Sequence, residues 1–285
     1  DGISLKIHDD LDIAALCKDH NVVLVPNHQS HADYIAINYI LAKKFDVSLH
    51  IAGGINLNIF PIGPLFRKSG CFFIRRTFTK DVLYRLTLEG YLYWLLLNNK
   101  PIEFFFEGGR SRTGKLRSPK FGLYQMLLEA HSQINERAKK KLIFVPLSIN
   151  HENLPEHKSM VREMMGGKKK KENPLDLLHI FKILSYQMGN IHITIGRPIS
   201  VPDLSAKNED ELKRITQVLA FQGFLDVGKN MVVTPSALLA LVLLEEPVCA
   251  LRWGDILVKA KVILEFCQKF NIPLTSSLCM SHYEP

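Results

Sequence analysis

Two histidines and an aspartate crowd the stretch "NHQSHAD", residues 27–33. An imidazole beside a carboxylate is a common device for taking a proton from a hydroxyl. The acid bonds one ring nitrogen, fixes the tautomer and raises the basicity of the other, an arrangement worth roughly 10²–10⁴ in rate. Spacing limits how His28 and Asp33 can meet. On one continuous helix, five positions at about 100° each leave the two side chains roughly 140° apart. They meet if His28 lies in a turn after the strand "VVLVP" and Asp33 opens the next helix, with Ser30 or Asn27 as its cap. A blander reading keeps Asp33 only as a first-turn acid that suits the helix dipole. A third makes His28, His31 and Asp33 metal ligands, since imidazole and carboxylate both hold zinc or iron. Nothing downstream completes such a set, and no metal is expected.

Two further stretches carry anion-binding chemistry. "GCFFIRR" sends an apolar strand into Arg75 and Arg76, at the kind of strand exit where open α/β sheets gather ligands. Guanidinium forks match phosphate oxygens, although a solvated pair at a strand end fits the same letters. "FFFEGGRSRTGK" turns a buried strand out through Glu107, Gly108, Gly109, Arg110, Ser111 and Arg112. The glycines let backbone amides approach an anion, and the arginines and serine add donors. The alternative is a hairpin turn stiffened by Glu–Arg pairing. The spacing is neither that of a Walker loop nor a dinucleotide fingerprint, so neither ATP nor NAD is expected. Ser30 and Ser111 lack a nucleophile elbow, which leaves a covalent acyl-enzyme unindicated.

The elements that must position these residues alternate along the chain. Short apolar runs ("NVVLVP", "SLHIAG", "GCFFIRR", "IEFFFEGG", "LIFVPLSIN") are separated by amphipathic ones ("DYIAINYILAKKF", "DVLYRLTLEGYLYWLLLNN", "FGLYQMLLEAHSQINERAKKK"). That order predicts an α/β fold with a mostly parallel sheet flanked by helices. "NIHITIGRPISVP" reads as a late strand, followed from "NEDELKRITQVLAFQGFLDVGKN" by a helical C-terminal region. The boundary falls near Pro202, giving 1–202 and 203–285. The polar, basic stretch from "HENLPEH" to "GGKKKKENP" reads as a long exposed excursion.

Composition bounds the partners. At 47% hydrophobic residues the chain has enough apolar side chains for a real core. A formal net charge of +8 suits an anionic partner: phosphate, coenzyme, acidic carrier protein or membrane surface. Nucleic acid is not expected, because no stacking platform, helix-turn-helix or zinc motif accompanies the charge. The runs "ERAKKK" and "GGKKKK" fit solvated faces or anionic lipid. Five widely spaced cysteines without a CxxC pair predict reduced thiols. No stretch reaches the roughly 20 apolar residues that span a bilayer, and "SALLALVLLEEP" reads as a core helix. The chain opens on Asp1 with no signal peptide, which reads as a piece of a longer polypeptide.

Taken in order, "NHQSHAD", "GCFFIRR", "FFEGGRSRTGK" and "VPLSI" resemble the four blocks of the glycerol-phosphate acyltransferases of membrane lipid synthesis. "IAGGINLNIFPIGPLFRKSGCFFIRR" is similar to the bacterial, membrane-associated glycerol-3-phosphate 1-acyltransferases. "RSRTGKLRSPKFGL" also resembles relatives acting on dihydroxyacetone phosphate. The resemblance covers residues 21–150 well and the C-terminus more loosely. It implies a glycerolphosphate acyltransferase-like catalytic domain over 1–202 and His28 as general base oriented by Asp33. It further implies acceptor binding by Arg76 with Arg75 beside it, and by Glu107, Gly108 and Arg110, with Ser111 and Arg112 adjoining. The resemblance ties Pro146 to the acyl-donor side or to the shape of the site. The implied reaction moves a fatty acyl group from acyl-CoA or acyl-carrier protein to the sn-1 hydroxyl of glycerol-3-phosphate, the first step of phospholipid synthesis, without a cofactor. The implied place is the cytoplasmic face of a membrane, the bacterial inner membrane. A dihydroxyacetone-phosphate acceptor and a non-catalytic basic module on anionic membranes are the alternatives.

Overall fold

Central strands of a parallel sheet are covered on both faces, so they read as unbroken β-branched and apolar runs. "NVVLVP" is such a run, and it forms the fully buried strand β2 (Asn21–Pro26). The structure is a computed structural model that describes residues 2–75, 77, 81–134, 140–154, 156–167, 189–204 and 208–279. Its other strands are β1 (Ile3–Ile7), β3 (His50–Gly54), β4 (Cys71–Ile74), β5 (Ile102–Glu103), β6 (Leu142–His151), β7 (Ile191–Ile195) and β8 (Ile199–Ser200).

These strands form one sheet in the order β1-β7-β6-β2-β5-β3-β4, with β8 also paired to β6. Strands β6, β2, β5, β3 and β4 run parallel. Among the described strands β7 and β8 meet β6 antiparallel, and β1 runs parallel to β7. The sheet is therefore mostly parallel, as the alternating pattern predicts. The late strand expected at 190–202 is two short ones. Most of "IEFFFEGG" is not ladder: after Glu103 the chain continues beside β2 only through the Phe104 and Phe106 amides, which donate to Leu24 and Pro26.

Alternation along β2 divides two cores. Val22 and Leu24 face one core, shared with α1 (Ile13–Asp19), α2 (Asp33–Phe45) and α3 (Ile62–Lys68). Val23 and Val25 face the other, closed by α4 (Val82–Leu97), α5 (Gly122–Ser132) and α7 (Glu209–Asn230). Helix α7 starts at an Asn208–Glu211 capping box and buries Leu219, Ala220 and Val227 on the sheet's side. A short helix, α6 (His157–Met164), follows β6.

Beyond α7, α8 (Pro235–Leu244) and α9 (Trp253–Lys269) pack mainly on each other through Leu238 and Leu264, with Leu278. Here the expectation of a core helix in "SALLALVLLEEP" is corrected. Thr234 caps it and Pro235 opens it, but only Leu238 and Val242 are buried, while Leu241 and Leu244 face out. With α9 as its main neighbour, one stripe suffices, and among the described residues Leu239, Leu241 and Leu244 stay exposed. No helix among the described residues is long and apolar enough to cross a membrane.

Candidate active site

Because β2, β3, β4, β5 and β6 are parallel, the segments leaving their carboxyl ends converge at one edge of the sheet, where open α/β folds bind ligands. His28 follows β2, Arg75 follows β4, Glu107 to Arg112 follow β5, and β6 ends on His151. His28 sits in the loop after Pro26, and Asp33 is the first residue of α2. Their side chains meet at 2.9 Å, His28 Nδ1 to Asp33 Oδ2. Since an ionised carboxylate only accepts, Nδ1 carries the proton and Nε2 is left basic. The ring is fixed further by stacking on Phe105, with centroids 4.0 Å apart.

Asp33 is fully buried, and its Oδ2 also accepts the backbone N–H groups of Gln29 (2.7 Å) and Ser30 (2.9 Å). The expected side-chain cap of α2 by Ser30 or Asn27 is not what forms. Ser30 Oγ accepts from Ala32 N. Asn27 exchanges two hydrogen bonds with the backbone of Ile149, tying the end of β2 to β6. Burial pushes the Asp33 carboxyl up, and bonds from His151 and His28 more than reverse this, holding it below the usual carboxylate range. Burial pulls the His28 imidazole below its ordinary value; Asp33 opposes that pull, and His31 and Arg110 add to it.

His28 borders a cleft of about 970 Å³. Arg75, Arg110, Arg112, Arg117 and Lys120 line it, as do Ile35, Ile51, Leu57, Leu65, Phe66, Leu123 and Met126. One space is thus lined by cationic and apolar side chains together with the imidazole. Arg75 donates to Asp81 Oδ2 at 2.8 Å and lies over the Tyr84 ring. Arg110 Nη1 pairs with Glu156 Oε1 at 3.4 Å, and Arg112 Nε with Glu163 Oε2 at 2.5 Å. Gly108 borders the cleft too, and its φ of +65° is one that favours glycine. Arg76 lies outside the described residues, as do 136–139 and 168–171 of the two basic runs.

Three expected site residues stand behind the cleft wall. Glu107 is buried: Oε1 accepts His28 N at 2.9 Å and Oε2 accepts Arg117 N at 3.2 Å. Burial raises its carboxyl to about 7, against the pull of those two amides and the Arg117 charge. Ser111 donates its hydroxyl to the Lys115 carbonyl and its amide to that of His28. Pro146 is inside β6 opposite Val25, and its carbonyl accepts Gly196 N. These residues hold backbone in place; none reaches the cleft.

His151 and Glu156 carry no signal in the four sequence blocks, and the stretch expected to be an exposed excursion begins inside the site. His151 Nε2 lies 2.6 Å from Asp33 Oδ1. Glu156 accepts from Ser30 Oγ and His31 N as well as Arg110. His31 turns toward Tyr34, its ring centroid 6.5 Å from that of His28. Among the described residues no group of three or more His, Cys, Asp or Glu side chains is placed to hold a metal ion.

The family model described as Acyltransferase matches residues 5–150, and the one described as Glycerol-3-phosphate acyltransferase C-terminal region matches 160–284. A glycerol-3-phosphate acyltransferase of Xanthomonas axonopodis pv. citri is 35% identical over 283 residues, 93% of this chain and 31% of that protein. One of Haemophilus ducreyi is 40% identical over 200 residues, 70% of this chain and 24% of that protein. The chain therefore spans a third or less of the length of these curated relatives. A crystal structure of the 1-acyl-sn-glycerophosphate acyltransferase of Thermotoga maritima aligns at TM-score 0.42 and 15% identity, covering 79% of this chain and 72% of that one.

Proposed function

This chain belongs to the acyltransferase family, and from that membership we propose that it transfers a fatty acyl group from an acyl thioester to the sn-1 hydroxyl of glycerol-3-phosphate. The observation that carries the reading is the His28–Asp33 pair, 2.9 Å apart, at a cleft lined by both cationic and apolar side chains. Similarity to proteins named glycerol-3-phosphate acyltransferase supports this choice of acceptor.

In this mechanism the acceptor's phosphate lies among Arg110, Arg112, Arg117 and Lys120, with Arg75 nearby. Fixing the phosphate orients the hydroxyl and removes the entropy of a chance encounter. The hydroxyl oxygen attacks the thioester carbonyl carbon as His28 Nε2 takes its proton. The C–S bond then breaks, the thiolate leaves, and the imidazolium returns the proton to sulfur, giving 1-acyl-glycerol-3-phosphate and a free thiol. Asp33 stabilises the transient imidazolium and keeps the proton of the resting ring on Nδ1. The apolar side chains of the cleft accept the acyl chain. Acyl-CoA and acyl-carrier protein, both anionic, fit the basic surface as donors. We place the reaction at an anionic membrane surface, consistent with an amphiphilic product and with apolar side chains left exposed on α4, α8 and α9.

The test is acyl transfer from a short, soluble acyl-CoA to radiolabelled glycerol-3-phosphate, with dihydroxyacetone phosphate as competitor. His28→Ala should fold and lose roughly 10²–10⁴ in rate. Wild-type turnover in that variant would refute the assignment, and preferential acylation of the competitor would move the acceptor to dihydroxyacetone phosphate.

A further inference from the structure

Asp33 serves two histidines with different oxygens. Oδ2 takes His28 Nδ1 and the Gln29 and Ser30 amides, while Oδ1 is held by His151 Nε2 at 2.6 Å. We propose that His151 is a positioning residue for the general base: by holding Oδ1 it fixes the rotation of the Asp33 carboxylate that presents Oδ2 to His28. The inference rests on the acyl-transfer reading and adds a residue to it.

The geometry supports the role in three ways. The terminal torsion of an aspartate is broad and roughly two-fold, so the donors around the carboxylate decide which way its oxygens face. Among the described residues the three other bonds fall on Oδ2, and His151 supplies the hold on Oδ1, so turning the carboxylate must break that bond too. Second, the His151 side chain is only 2% exposed and Asp33 0%, so bulk water is poorly placed to replace the bond. An ionised carboxylate accepts, which puts the His151 proton on Nε2.

Third, the histidine is itself anchored on both sides. Asn150 Oδ1 accepts Val232 N at 3.3 Å. The Glu152 carboxylate accepts Asn190 N and His192 Nε2, and the Glu152 carbonyl accepts Ser236 Oγ at 2.9 Å. The turn between α7 and α8 and the start of β7 thus hold the end of β6 that carries His151. The C-terminal helices reach the base through this route: their hydrogen bonds fix the backbone, the backbone fixes His151, and His151 fixes Asp33.

Other ionisable groups around the pair set the background for any pH effect. Arg110 and Glu107 come from the loop after β5, Glu103 from β5, His31 from the loop before α2, and Glu156 from the segment before α6. None of them donates to Asp33 Oδ1.

The experiment compares wild type, His151→Phe, His151→Gln and His28→Ala in the acyl-transfer assay across pH. His151→Phe should lower kcat by about 10–100-fold, the range for partners that orient a working side chain, with the acceptor KM unchanged. Without a donor on Oδ1 the carboxylate is free to turn Oδ2 away from His28, and the imidazolium loses the partner that favours it, so the acid limb of kcat/KM moves to lower pH. The amide N–H of His151→Gln can donate to Oδ1 and should recover both rate and limb. The proposal is overturned by a wild-type rate in His151→Phe, by a slower rate with an unmoved acid limb, or by equal damage in the glutamine variant. Full activity in His28→Ala sinks the acyl-transfer reading instead. In that event, or if His151→Phe does not fold, nitrogen NMR of the wild-type imidazoles decides. A proton on His151 Nε2 supports the bond, and an unprotonated Nε2 overturns it.

Discussion

His28 acts as a base in its neutral form, and its environment favours that form. Its imidazole is pulled below the ordinary histidine value mainly by burial. The base is present above its folded pKa and lost as pH falls through it, so kcat/KM should be flat at neutral pH. Its acid limb should lie below the ordinary value of 6.5, and a pH–rate profile measures this directly. Asp33→Asn should cost roughly 10²–10⁴ in rate, because the neutral amide no longer stabilises the imidazolium that forms when His28 takes the proton. Acyl-transfer assays of the refolded variant check it, with circular dichroism to show that the fold survives. The histidine and aspartate were legible in the sequence because five positions across a strand–helix junction allow one meeting geometry. His151 was not, since 118 residues separate it from Asp33 and only strand pairing closes that distance.

Elements carry the next set of outcomes. Strands β2 and β6 are fastened at their carboxyl ends by the two buried bonds between Asn27 and Ile149. Asn27→Ala leaves that buried amide and carbonyl unpaired and should cost about 1–3 kcal/mol in denaturant unfolding. Gly70 precedes β4 at φ +89°, and a Cβ there would run into the Leu49 carbonyl oxygen. Gly70→Ala should therefore destabilise by more than about 1 kcal/mol, read as a fall in Tm. Glu103 on β5 is wholly buried, and neither of its oxygens finds a hydrogen-bond partner among the described residues. Burial, aided by Asp33, raises its carboxyl well above the ordinary 4.5. With the folded value above the unfolded one, its contribution is most favourable below about 4.5 and declines as pH rises through the folded value. Glu103→Leu should raise Tm at neutral pH and flatten its dependence on pH; a Tm no higher than wild type would show that the carboxyl has a partner.

At the scale of the molecule, the sheet's second core depends on residues after Pro202. Leu219, Ala220 and Val227 of α7 pack with Val25, Phe144 and Tyr124. A chain ending at Pro202 should lose cooperative urea unfolding, because it leaves this core open to water. The proposed membrane surface makes a separate prediction. Trp94 and Trp253, the chain's two tryptophans, are both exposed. Vesicles containing anionic lipid should shift their fluorescence to the blue, and added salt should reverse the shift by screening the basic residues. Neutral vesicles should do less. Equal shifts on both would remove charge from the account of binding.

What the sequence determined by itself was local. Apolar and β-branched runs separated by amphipathic ones required a mostly parallel sheet, and the "NHQSHAD" and "FFFEGGRSRTGK" stretches placed an acid–base pair and an arginine-bearing turn at strand exits. Periodicity, helix starts and glycine turns depend on neighbours a few residues away, so they can be read along the chain. The tertiary structure decided which residues meet the ligand space. It set Glu107, Ser111 and Pro146 behind the cleft, brought Arg117 and Lys120 to its wall, and set His151 against Asp33. Those outcomes depend on strand order and on the direction in which β6 runs past β2, and a one-dimensional pattern does not encode the pairing of distant strands.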